Sequence, residues 1–161
     1  MEARFNLFES PTAAKVAKRI YSVAGVLEQS TVPKALQEIL ALRASQINGC
    51  AFCVDMHTKD ATAAGESQQR LHLVAVWREA TVFTEAERAA LALTEEGTRL
   101  ADAFEGVSDE TWSAVRKHFT DDEVGALICM IALINAANRM NVIVQNPAGA
   151  YEPGTAAALI S

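Results

Sequence analysis

Cys50-Ala51-Phe52-Cys53-Val54-Asp55-Met56-His57 places two thiols and an imidazole at spacings of three and four residues. On a helix, positions i, i+3 and i+7 share one face. Thiols at that spacing can close into a disulfide, and a histidine four residues past the second can take its proton. Redox thiol chemistry is the activity this pattern favours. Each residue also has a plainer use. Buried cysteines behave as small hydrophobes, and a lone histidine on a helix is usually a satisfied core residue. Cys-x2-Cys is also half of a zinc site, but only His57 and the distant Cys129 offer to complete it. Cys129 lies in an apolar run and is expected in the core.

The elements around the motif decide whether it can work. Asn48-Gly49 should end one helix, since both residues tolerate a left-handed backbone, and a new helix should run from Cys50 to Ala64. That puts Cys50 and Cys53 in a first turn, where unpaired N–H groups and the positive dipole end favour an anion. At least one thiol should therefore ionise more readily than a free cysteine. Nearness to the helix start favours Cys50, and nearness to His57 favours Cys53. If the flanking helices form an antiparallel hairpin, Glu38 and His57 lie at similar distances from the turn. At about 1.5 Å rise per residue, the mismatch is a few ångströms. A carboxylate can then orient the imidazole, which in turn deprotonates sulfur.

Almost every other segment also reads as helix, and alternating β-branched runs are absent. A first helix is expected from Thr12 to Leu27, with Ala13, Val16, Ala17, Ile20, Ala24 and Leu27 inward. Pro33 should open the next, near its first position. Gly65 should stop the motif helix, and a further helix should carry Leu71, Val74 and Trp77. Thr84-Glu85-Ala86-Glu87 and Thr120-Asp121-Asp122-Glu123 are capping boxes, and Ser108 is an N-cap between them. The last helix should run towards Val144 until Asn146-Pro147-Ala148-Gly149. Trp77 and Trp112 are expected to pack, Asp55 and Lys59 to pair on a helix face, and His72 and His118 to lie at the surface. The reading is one all-α domain of about seven helices spanning residues 1–161, with a core near 32–144 and a loosely held tail, 150–161.

The 161 residues suit a single core. Net charge is −6, which excludes a sequence-independent grip on nucleic acid or anionic membrane. Three clustered cysteines do not make a disulfide-stapled secreted domain. The run Val124–Ile134 is too short to span a bilayer. These features give the expectation of a cytoplasmic protein with no membrane partner.

Glu38 followed by Leu42-Arg43-Ala44-Ser45-Gln46-Ile47-Asn48-Gly49-Cys50-Ala51-Phe52-Cys53-Val54-Asp55-Met56-His57-Thr58-Lys59-Asp60-Ala61 closely resembles the core of the alkylhydroperoxidase D-like (AhpD-like) proteins, in the carboxymuconolactone decarboxylase superfamily. The likeness continues more weakly through Trp77-Arg78-Glu79, Thr84–Arg88 and Asn135–Asn141. It implies an all-α fold that assembles as trimers or hexamers. It implies peroxide reduction by a cysteine pair cycling between dithiol and disulfide. Carried over, Cys53 is the peroxidatic thiol, Cys50 the resolving thiol, and Glu38 with His57 the proton relay. One departure is Phe52, where the best-known member has a second histidine between the cysteines. The intact pair argues against lactone decarboxylation, the reaction of members that lack it.

The expected function is therefore a thiol-dependent hydroperoxide reductase using Cys53, Cys50, His57 and Glu38. Its reductant would be a lipoyl-bearing or thioredoxin-like dithiol protein, and the sequence requires no metal, flavin or haem. The alternatives are a redox-sensing or scaffold oligomer without turnover, and a protein disulfide reductase using the same pair.

Overall fold

The computed structural model describes residues 2–103 and 105–156, so residues 157–161 of the expected tail lie outside it. Seven α-helices and two short 3-10 turns make up the fold, with no strand among the described residues. They are α1 (Pro11–Leu27), α2 (Lys34–Ile47), α3 (Ala51–Ala63), α4 (Gln68–Leu73), α5 (Glu85–Thr98), α6 (Asp109–His118) and α7 (Asp121–Ile143). Both capping boxes form, at Thr84/Glu87 and Thr120/Glu123, and Ser108 caps α6. Each satisfies backbone N–H groups that a helix start leaves without partners.

At the centre, α2 packs against α3, α5 and α7, while α1 lies along α7. Ile39, Leu40, Leu42, Val74, Leu91, Val115 and Leu127 are fully buried in one core. Apolar spacing explains α2: Leu36, Ile39, Leu40 and Leu42 all turn inward. Gly49 alone makes the tight corner from α2 to α3, at φ +66°. Asn48 keeps an ordinary right-handed backbone and uses its side chain elsewhere.

Three expectations about burial are corrected. Cys129 is exposed, because α7 buries one side only: Val124, Leu127, Met130, Ile131 and Ile134 face inward, while Ile128 and Cys129 face out. Trp112 is 42% exposed and does not pack in the core, since α6 turns Thr111 and Val115 inward instead. Val16 is half exposed, and only Ala17 and Leu27 of α1 are buried.

Helix α7 is longer than the apolar run within it, and by length and composition it could cross a bilayer. Its inner side, however, carries buried Asn135, Asn138 and Asn141, which belong to a polar cluster beside the thiols.

The tail is also held more firmly than its sequence implies. Asp60 on α3 accepts from the Tyr151 hydroxyl (2.8 Å) and the Gly154 N–H (2.9 Å). Asp55 accepts from the Gly149 N–H, and Lys59 donates to the carbonyls of Gly149 and Tyr151. The Asp55–Lys59 pair forms at 3.0 Å and doubles as a platform for residues 149–154.

Candidate active site

The α2–α3 hairpin brings all four sequence-identified residues together. Cys50 is the N-cap of α3 rather than a first-turn residue: its sulfur accepts from the Cys53 N–H at 3.4 Å. Cys53 therefore sits three residues in, with its sulfur 2.7 Å from that of Cys50. Both are free thiols and almost completely buried. Across the hairpin, His57 Nδ1 lies 2.7 Å from Glu38 Oε2. The carboxylate can only accept, so Nδ1 carries the proton and Nε2 presents its lone pair. That Nε2 is the single buried side-chain nitrogen or oxygen without a hydrogen-bond partner among the described residues.

The two sulfurs differ in acidity. The hydrogen bond between the two sulfurs, joined by the Cys53 backbone N–H and Asn138, lowers Cys50 to about 7 against the pull of burial. The Cys50 sulfur beside it, together with burial, pushes Cys53 well above the ordinary thiol range. The pair thus shares one proton near neutrality, with the negative charge resting mainly on the capping sulfur.

They differ in access as well. A largely apolar cavity of about 760 Å³ lies over α3, between α1, α7 and the N-terminal segment. Cys53, His57 and Glu38 line it, and Cys50 does not. Phe5, Phe8, Phe52 and Met56 supply much of its apolar wall. Phe52, at the departure position, packs edge-on against Tyr151, with ring centroids 6.3 Å apart. The latched tail thereby supports one wall of the cavity.

Sequence reasoning missed the amides. Asn138 is completely buried; it donates to Ser45 Oγ (3.0 Å) and accepts from Asn48 Nδ2 (2.9 Å). Asn135 accepts from the same Asn48 amide and donates to Thr98. Asn141 reaches Cys53 Sγ at 3.6 Å. The signal was available: Asn135, Asn138 and Asn141 recur every three residues inside an apolar helix, where polar side chains stay only if they find partners. Ser45 is part of this cluster, whereas Gln46 bonds to Arg43 instead. Trp77 is buried, with its indole N–H on Glu95, and His72 and His118 lie at the surface. No group of three or more His, Cys, Asp or Glu that could hold a metal ion occurs among the described residues.

A family model described as the carboxymuconolactone decarboxylase family matches residues 15–96, a stretch that holds the whole α2–α3 hairpin. The chain belongs to the carboxymuconolactone decarboxylase family. The chain is 37% identical over 121 residues to the uncharacterized protein YdfG of Bacillus subtilis (strain 168), covering 75% of this chain and 81% of that one. Among solved structures, it is similar to a protein of unknown function from Agrobacterium tumefaciens, a candidate antioxidant defence protein AhpD. That match has a TM-score of 0.85 and 34% identity, over 93% of this chain and 100% of that one. The debrominase Bmp8 shares the fold at a TM-score of 0.73 and 18% identity, over 96% and 78% of the two chains. This carboxymuconolactone decarboxylase family member is thus AhpD-like and all-α, with its cysteine pair set at the helix start. Proteins of the same fold thus include a debrominase.

Proposed function

We propose that the protein is a thiol-dependent reductase of organic hydroperoxides, and one arrangement carries the reading. The Cys53 sulfur opens onto an apolar cavity shared with the unpartnered Nε2 of His57, while Cys50 stands 2.7 Å behind it. The shared proton moves from Cys53 to Cys50, leaving a Cys53 thiolate that faces the substrate. That sulfur attacks the terminal peroxide oxygen. The O–O bond breaks, and its electron pair leaves with the alkoxide, which is protonated to the alcohol. His57 Nε2, its ring held by Glu38, takes the second proton of the thiol pair as the thiolate forms and returns it to the alkoxide. Cys53 becomes a sulfenic acid. Cys50 then attacks its sulfur, expels water and closes the disulfide. An external dithiol restores the pair by exchange. A lipoyl-bearing or thioredoxin-like protein fits that role, and the lowered pKa of Cys50 makes it a good leaving thiolate.

The cavity bears on the substrate. Its volume is in the range of small-molecule sites, and its apolar walls suit a hydrophobic organic group better than hydrogen peroxide. The reading includes a cytoplasmic setting and self-association through apolar surface left open on α7. The test is consumption of cumene hydroperoxide and hydrogen peroxide, with dihydrolipoamide and with thioredoxin run in parallel. Sustained turnover, faster with the organic peroxide and lost in Cys53→Ser, is expected. A single oxidation without turnover would favour the sensor instead, and reduction of protein disulfides without peroxide consumption would favour the disulfide reductase.

A further inference from the structure

Cys53 has a second set of polar neighbours that the relay does not use. The Asn141 amide nitrogen lies 3.6 Å from Cys53 Sγ, 3.5 Å from the Tyr21 hydroxyl oxygen and 2.9 Å from the Ala137 carbonyl. A carbonyl oxygen can only accept, so the NH2 end of this amide must face Ala137, and with it Cys53. The opposite end agrees: Asn141 Oδ1 accepts from Asn146 Nδ2 at 2.9 Å. One N–H is thus committed to the helix carbonyl, and the other is offered to the sulfur and the phenol. Since Tyr21 accepts in this contact, its own proton stays available. Tyr21 and Asn141 both line the cavity that Cys53 opens onto.

We infer that Asn141 is a positioning residue that stabilises the Cys53 thiolate, and that Tyr21 is the hydroxyl donor that meets the departing peroxide oxygen. The chemistry needs both. A buried sulfur beside a second, more acidic thiol is poorly placed to hold charge, and an N–H aimed at it favours the ionised form. When the O–O bond breaks, negative charge appears on the alkoxide in an apolar cavity. A neutral hydroxyl stabilises it there while the His57 proton is delivered. Burial holds the Tyr21 phenol above its ordinary range, so it remains a donor through neutral pH. The other titratable groups about Cys53 are Cys50, His57 and Glu38 on the hairpin. Glu2, Glu28 and Lys34 also line the cavity, and α7 contributes amides.

The Tyr21 assignment rests on the proposed peroxidase reading, and the Asn141 assignment does not, so the test separates them. Iodoacetamide alkylation of Cys53 is followed against pH in the full-length Cys50→Ser protein, which needs no peroxide. Asn141→Ala should slow alkylation at neutral pH about tenfold and move the profile to higher pH, the size of a hydrogen bond to a charged group. Asn141→Asp keeps the shape, replaces the donor with a charge, and should move it further the same way. If both variants have the circular dichroism and melting profile of the parent and neither moves the alkylation profile, the Asn141 inference is overturned. Tyr21→Phe, with Cys50 intact, should leave alkylation unchanged and lower kcat for cumene hydroperoxide about tenfold with KM unchanged. An unaltered kcat would overturn the Tyr21 assignment. Absence of turnover in the parent itself would instead sink the peroxidase reading, and Tyr21 with it, while the Asn141 result stands.

Discussion

Cys50 and Cys53 divide two properties that a reactive cysteine usually combines. The helix N-cap and the Cys53 thiol give Cys50 the easier ionisation, while the cavity meets Cys53. Cys50→Ser removes the competing sulfur, so it should bring Cys53 back towards the ordinary thiol range. It should also leave one turnover and a trapped sulfenic acid, detectable with dimedone. Cys53→Ser should leave no reaction with peroxide, and the reverse pattern would exchange the two roles. His57→Ala should slow peroxide reduction ~10²–10⁴-fold, as loss of an acid–base group does; an unchanged pH–rate profile would remove His57 from the mechanism. Linkage gives an independent check. Cys50 ionises near 7 in the fold against an ordinary 9.0, so its contribution to stability is fully present above pH 9 and lost as pH falls through 7. The urea midpoint of the reduced protein should therefore rise between pH 7 and pH 9, and Cys50→Ser should flatten that rise. Above pH 9 the trend reverses, because Cys53 is held protonated in the fold and ionises freely when unfolded.

At the scale of elements, α3 works on two sides. Its start holds the thiols, and its outer side, through Asp55, Lys59 and Asp60, clamps residues 149–154. The clamp reaches the cavity through Tyr151, which is buried and touches Phe52. Burial and the neighbouring Asp60 carboxylate push the Tyr151 phenol up to about 12, so this hydrogen bond persists across the physiological range. Tyr151→Phe keeps the ring and removes the bond, leaving Asp60 one donor short. It should cost about 1–3 kcal/mol of stability and speed protease cleavage after residue 148. Asp60→Asn should loosen the tail similarly. If neither substitution changes the melting temperature or the cleavage rate, the tail is not anchored by these contacts.

Over the whole molecule, an apolar surface remains on one side of α7. Ile143 is 71% exposed, Ile128 47% and Val142 43%, with Cys129 beside them. We propose that further copies of this chain cover that surface. Light scattering at micromolar concentration should return a multiple of 17.3 kDa, with a trimer or hexamer expected. Ile143→Glu should lower that mass while leaving Cys53 alkylation intact, because the cavity lies on the other side of the helix packing. A stable mass near 17.3 kDa for the parent would contradict self-association.

Local signals in the chain were sufficient for much of this. The Cys-x2-Cys-x3-His spacing, the Gly49 corner, both capping boxes and the helical periodicity are short-range features, and short-range hydrogen bonding decides them. Even the Glu38–His57 contact followed from counting residues on either side of one turn. The sequence did not determine which thiol takes the charge and which meets the cavity. Those properties depend on whether Cys50 is the N-cap or the first helical residue, a one-residue difference in a boundary, and on where α1 and the N-terminal segment lie. The exposure of Cys129 was equally hidden, because an apolar helix has no polar face to say which side turns inward. Asn138 and Asn141 became part of the site only when α7 packed against the hairpin, some 90 residues away in the chain. The anchoring of residues 149–154 was hidden for the same reason: Asp60, Gly154 and Tyr151 are ordinary residues until the fold sets them side by side, and only then do their hydrogen bonds outweigh the freedom of the chain.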